Sequence, residues 1–169
     1  DLHSTSRLQR QMCIRDRCTM RHIPIFTFIN KMDREARNPF DLLEEIEEEL
    51  GIDTYPVNWP IGSGRDFKGV FDRNKHEILA FTANNGQREV EARELTLSSP
   101  DLEQVLGQEL SNTLKDDVEL LDGAGAVFEQ SMVDAGKLTP VFFGSALTNF
   151  GVEPFLEDFL RMTTPPLPR

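Results

Sequence analysis

An amide, an ammonium and a carboxylate stand together at Asn30-Lys31-Met32-Asp33, straight after the apolar run Pro24-Ile25-Phe26-Thr27-Phe28-Ile29. Polar groups at the carboxyl end of a strand occupy the place where open α/β sheets bind ligands. A carboxylate held there accepts two parallel hydrogen bonds from a ring N–H and a neighbouring exocyclic amino group. Guanine presents that donor pair and adenine does not. A bidentate base contact discriminates by about 1–3 kcal/mol, and a carboxylate left unpaired against the wrong base adds a comparable penalty. A second apolar run, Thr139 to Phe143, ends in Gly144-Ser145-Ala146. The Ala146 N–H can donate to the guanine carbonyl oxygen while Ser145 braces Asp33. Asn30 can pin the two loops together, and the stem of Lys31 can cover the base plane. Asn30, Lys31, Asp33, Ser145 and Ala146 are therefore the candidate guanine-binding residues, and no residue takes a catalytic or metal-ligating role.

These groups need strands and helices to hold them. Pro24 to Asn30 is short, β-branched, aromatic and apolar on both faces, as a doubly covered parallel strand is. The next segment reads as a helix capped by Asn38, with Pro39 in its first turn and Asp41 at its positive end. Leu42, Leu43, Ile46 and Leu50 form its apolar stripe, Gly51 ends it, and Glu44 to Glu49 make a solvated face. From Tyr55 to Leu97 the texture changes. "YPVNWPIGSG" is turn-rich, and the short β-prone runs after it suggest an antiparallel meander in which Trp59 is a buried anchor. Ser99 and Pro100 open a helix with Leu102, Val105, Leu106 and Leu110 on one side. A further helical pattern runs from about Leu114 to Asp134, loosened by Gly123 and Gly125 and closed by Gly136. "TPVFFGSA" is a second strand, and "VEPFLEDFL" a last helix with Val152, Phe155, Leu156, Phe159 and Leu160 inward. The expected fold class is α/β with an inserted α+β subdomain. Residues 18–54 and 138–164 make the main domain, 55–137 the insert and 165–169 a linker to a missing domain.

The chain has 169 residues and a net charge of -11. That balance argues against a broad basic surface for nucleic acid, so no DNA partner is expected. No apolar run approaches the roughly 20 residues of a membrane span, and no secretory segment opens the chain. Cys13 and Cys18 form neither a disulfide framework nor a zinc pattern and read as free thiols in a cytoplasmic protein. His3, His22 and His76 add no ligand cluster. The arginines at 7, 10, 15, 17 and 21 make a basic beginning to an acidic chain. Residues 1–17 show no clean period and read as an unmatched leader or a cloning scar.

"NKMD" with "GSA" resembles the fourth and fifth guanine-nucleotide motifs of the P-loop GTPases. "NWPIGSG", "LLDGAG", "GKLTPVFFGSALTNFGVEPFLEDFL" and "PPLPR" extend the likeness, from about residue 18 onward, to the ribosomal translational GTPases. Their termination branch, the release-factor GTPases of bacteria, is the most similar. The resemblance implies GTP and GDP as ligands, GTP hydrolysis on the ribosome, and recycling of the class-I release factors that decode stop codons. The elongation factor G-like and ribosomal protection branches are the alternative within the family. A non-catalytic acidic interaction module with a vestigial base pocket is the alternative outside it.

A P-loop, G-x-x-x-x-G-K-[ST], does not occur in the sequence. "GSGR" at 62–65 lacks its spacing and its lysine, and "GAGA" at 123–126 sits in a helical, acidic context. The family's magnesium-binding Thr and Asp-x-x-Gly have no counterpart ahead of Asn30. The chain is accordingly expected to be a fragment, with magnesium bound only in the complete protein. Phosphoryl transfer depends on positioning and charge neutralisation around the phosphates, so this chain alone is expected to be inactive and to bind nucleotide feebly.

Overall fold

The computed structural model describes residues 15–84, 87–147 and 149–163, with those at 81–94 and 124 described by backbone only. Cys13, His3 and most of the proposed leader and linker lie outside them. A short helix, α1, covers residues 15–20. Strand β1 (Thr27–Ile29) is followed by helix α2 (Pro39–Leu50) and strand β2 (Asp53–Pro56). Strands β3 (Asn58–Ile61), β4 (Gly69–Asp72), β5 (Glu77–Asn84) and β6 (Gln87–Leu95) come next, with a 3-10 turn at Gly64–Asp66. Helices α3 (Leu102–Leu106), α4 (Gln108–Ala124) and α5 (Gln130–Asp134) lead to strand β7 (Leu138–Phe143) and helix α6 (Val152–Met162). No helix among the described residues is long and apolar enough to cross a membrane.

The strands form two sheets. One is parallel with order β1-β7-β2, and the other is an antiparallel meander with order β3-β4-β5-β6. The central strand β7 is buried along its whole length, whereas β1 is half-buried. Register pairs Ile29 with Phe143, so both strands end level and release their polar loops side by side. Pro60 lies in β3, an edge strand, where a missing N–H leaves no ladder bond unmade.

Helix α2 follows its cap chemistry. The Asn38 side chain accepts the Phe40 N–H at 2.9 Å, and the Gly51 N–H donates to the Glu47 carbonyl at 2.8 Å. Glu47 also accepts from the Thr54 hydroxyl at 2.6 Å and the Thr54 N–H at 2.9 Å, which ties α2 to β2. Trp59 is fully buried and donates Nε1–H to Asp117 at 2.9 Å, fastening the meander to α4.

Several expectations need correction. "YPVNWPIGSG" is not only turn: it contains the end of β2 and all of β3, with Val57 alone between the sheets. The Val57 N–H donates to the Val141 carbonyl at 2.9 Å, so the chain leaves one sheet and joins the other without a loop. The parallel sheet thus runs two residues past the expected boundary, through Tyr55 and Pro56. The helix opened at Ser99 stops at Gly107, whose φ of 87° is a left-handed value that ends α3 and starts α4, so Leu110 belongs to the next helix. The pattern from Leu114 to Asp134 divides likewise, because Gly125 is extended at φ -74°, ψ 161°.

Helix α6 is turned from its expected face. Asp158 and Met162 are buried, while Leu156, Phe159 and Leu160 are 50%, 37% and 75% exposed. The sheet beneath offers Phe28 and Phe142, whose rings meet Phe155 tilted and edge-on, at 5.2 and 5.0 Å. Among the described residues the parallel sheet has three strands, and on the flank of the helix Phe159 meets the Phe26 ring at 5.0 Å.

Candidate functional site

The level ends of β1 and β7 create a two-loop rim. The Gly144 N–H donates to the Ile29 carbonyl at 3.0 Å, and the Met32 N–H donates to the Gly144 carbonyl at 3.2 Å. These bonds continue the parallel ladder one step beyond the strands. Gly144 cannot carry a side chain here: a Cβ would lie 2.6 Å from the Phe150 carbonyl oxygen and 2.8 Å from the Phe28 ring.

Each proposed residue has a definite place on this rim. Asn30 Oδ1 accepts the Lys31 N–H at 2.7 Å and the Ala146 N–H at 2.9 Å, so one amide oxygen holds both loops. Lys31 is exposed and has a left-handed φ of 71°, uncommon for a residue with a side chain. Asp33 is half-buried, and its Oδ1 accepts from the fully buried Ser145 hydroxyl at 2.6 Å. Ser145 and Phe150 exchange backbone bonds at 3.0 and 2.9 Å, which closes the second loop on itself. The structure therefore brings together Asn30, Lys31, Asp33, Ser145 and Ala146. One detail differs from expectation: the Ala146 N–H, assigned to a base carbonyl, is bonded to Asn30.

Two contributors escaped sequence reasoning. Met32, the variable position of the motif, is 1% exposed and joins the main hydrophobic core, so the loop is nailed down at its centre. Its carbonyl accepts the Gly64 N–H at 3.2 Å. Asn58 is also buried, and its amide bonds both the N–H and the carbonyl of Phe143, at 2.7 and 3.1 Å. The available signal was a polar amide inside "PVNWPI", flanked by apolar residues on both sides.

The arrangement suits a planar ligand with adjacent donors. A carboxylate accepts through two oxygens, and the Ser145 bond fixes the carboxyl plane while engaging one of them. Lys31, two residues before Asp33, is exposed. This donor and acceptor set fits guanine. Among the described residues no group of three or more His, Cys, Asp or Glu is placed to hold an ion. Two surface clefts lie away from the rim, one over Arg37, Asp41 and Glu48 of α2 and its approach, another between α2 and the end of α4.

Residues 11–165 match the family model described as "Elongation factor Tu GTP binding domain". Peptide chain release factor 3 of Trichormus variabilis is 53% identical over 150 residues, which cover 88% of this chain and 28% of that protein. The release factor 3 of Nostoc punctiforme is 54% identical over 150 residues, again 88% and 28%. That of Synechococcus elongatus is 54% identical over 144 residues, 85% of this chain and 26% of the relative. The chain spans between a quarter and a third of the length of these relatives. A crystal structure of a Thermus thermophilus protein shares the fold with a TM-score of 0.51 at 20% identity, covering 85% of this chain and 22% of that one.

Proposed function

The chain belongs to the elongation factor Tu GTP-binding domain family, and from that premise we propose that it is the guanine-recognising part of a ribosome-associated GTPase acting in translation termination. The identity of more than half to release factor 3 proteins supports the termination branch over its elongation and protection cousins. The ligands are GTP and GDP, the setting is the cytoplasm, and the partners are the ribosome and the class-I release factors. The observation that carries the base-binding reading is the bond from Ser145 to Asp33, which orients a carboxylate at the rim where a purine edge must sit.

On this reading Asp33 accepts the ring N–H and the exocyclic amino group of guanine. Lys31 lays its aliphatic stem on the base, and Asn30 keeps the loops at a fixed distance. Ala146 turns its N–H to the base carbonyl by sharing or exchanging its bond to Asn30. Magnesium, when bound in the complete protein, supplies charge neutralisation at the phosphates. On this reading the five rim residues serve the base and not the phosphates, and this chain alone is proposed to recognise a base without hydrolysing GTP.

The test uses purified termination complexes and the full-length protein. GTP-dependent departure of a class-I release factor is expected, together with preference for GDP over ADP in direct binding. Absence of both would sink the assignment. For the isolated chain no measurable hydrolysis is expected, and micromolar GDP affinity by calorimetry would contradict the feeble binding proposed for it.

A further inference from the structure

The Asn58 side chain does the work of a missing strand. Pairing between β2 and β7 ends at Pro56 and Val141, so β2 does not reach Phe143. In its place Asn58 Nδ2 donates to the Phe143 carbonyl at 3.1 Å, and Asn58 Oδ1 accepts the Phe143 N–H at 2.7 Å. Asn58 is 4% exposed and Phe143 is fully buried, so these backbone groups have little access to water. The Trp59 ring packs on the Phe143 ring at 5.5 Å, closing the seam from the side. Phe143 directly precedes Gly144-Ser145-Ala146. The same segment of the inserted sheet also reaches the first loop, where the Gly64 N–H bonds the Met32 carbonyl. Residues 58–64 thus grip both base-binding loops, one through Asn58 and the other through Gly64.

We propose that Asn58 is a positioning residue of the guanine site: it fixes how far β7 extends Ser145 and Ala146 toward Asp33 and Asn30, so the inserted sheet sets guanine selectivity. The inference rests on the guanine reading above. Buried backbone donors and acceptors must be satisfied. Removing the Asn58 amide leaves two of them orphaned, and the end of β7 shifts to recover partners. A Ser145–Asp33 bond of 2.6 Å has little slack for such a shift. Coupling between sites is reciprocal, so a bound guanine nucleotide in turn tightens the Asn58–Phe143 pair.

The experiment measures GDP and inosine diphosphate affinities of the full-length protein and its variants. Inosine diphosphate lacks only the exocyclic amino group, so the affinity ratio reads the second bond to Asp33. Asn58→Ala is expected to weaken GDP by about tenfold and to bring the ratio close to one. Asn38→Ala, which removes the cap of α2 and no bond of Asn58 or Phe143, is expected to lower the melting temperature and keep the parent ratio. A merely structural role reduces the competent fraction, which scales both affinities equally and leaves their ratio intact. An unchanged ratio in Asn58→Ala, or an equal collapse in Asn38→Ala, overturns the proposal. If Asn58→Ala does not fold, Asn58→Asp, which keeps the acceptor and loses the donor, is judged by the same ratio. A parent that does not distinguish the two nucleotides would bring down the guanine reading and this inference with it. A discriminating parent with an indifferent Asn58 variant brings down this inference alone.

Discussion

The hydroxyl of Ser145 donates to Asp33 Oδ1 at 2.6 Å, joining loops 112 positions apart in the chain. Both ends of the bond stand on strands that finish level, since Ile29 and Phe143 are register partners. The hydroxyl is buried and the carboxyl is only half-buried, so the brace comes from the protein side and the carboxylate faces outward.

Removing that brace should weaken guanine binding more than it weakens the fold. Ser145→Ala in the full-length protein is expected to cost about 1.5–3 kcal/mol of GDP affinity, the range of a hydrogen bond to a charged group. Calorimetric titration with GDP measures it. Affinity equal to the parent's would mean that Asp33 does not need orienting.

Asp33→Asn reverses half of the donor and acceptor pattern offered to the base. Xanthine presents a carbonyl where guanine has its amino group, so preference should move toward xanthosine diphosphate by about 1–3 kcal/mol. Competition between the two diphosphates reads this directly. Retained guanine preference in a folded variant would remove Asp33 from the site.

The cap of α2 is open to a stability test away from the rim. Asn38 accepts the Phe40 N–H at 2.9 Å, and alanine offers no acceptor. Asn38→Ala is expected to destabilise by about 1 kcal/mol, seen as a lower midpoint in urea at an unchanged slope. An unmoved midpoint would show that water replaces the cap without cost.

Asp158 gives a pH dependence with a definite sign. Burial raises its carboxyl pKa above the ordinary 3.8, against the attraction of Arg161; Asp72 and Glu157 raise it further and Lys75 lowers it. A folded-state value above the unfolded one means that the charged form costs stability. That cost is fully present above the folded value and fades as pH falls toward 3.8. Asp158→Asn should therefore raise the melting temperature at pH 7, with an advantage that shrinks as the medium is acidified. The Arg161 partner is 59% exposed and returns to water at small cost. A variant less stable than the parent at pH 7 would show that the ion pair outweighs burial.

The rim was legible in the sequence because its chemistry is local. Asn30, Lys31 and Asp33 are neighbours in the chain, Ser145 and Ala146 follow a run that can only be a buried strand, and the caps of α2 act over a few residues. The meander was legible for the same reason, through alternation and turn residues. Less legible were β2 and the face of α6. Strand β2 is hidden among prolines and joins its sheet by pairing with a strand more than eighty residues away. The α6 arc Leu156, Phe159 and Leu160 looks inward by periodicity, but how much of an apolar arc is covered depends on the width of the sheet beneath it.

Residue types and spacing alone determined which side chains could recognise a guanine edge, since donor and acceptor identity belongs to the side chain. Tertiary structure alone decided how they are held: Met32 sunk in the core, Asn58 standing in for a strand at Phe143, and the Ala146 N–H bonded to Asn30. A buried backbone N–H or carbonyl takes whatever partner the fold brings within about 3 Å, and no local pattern names a partner that lies across the chain.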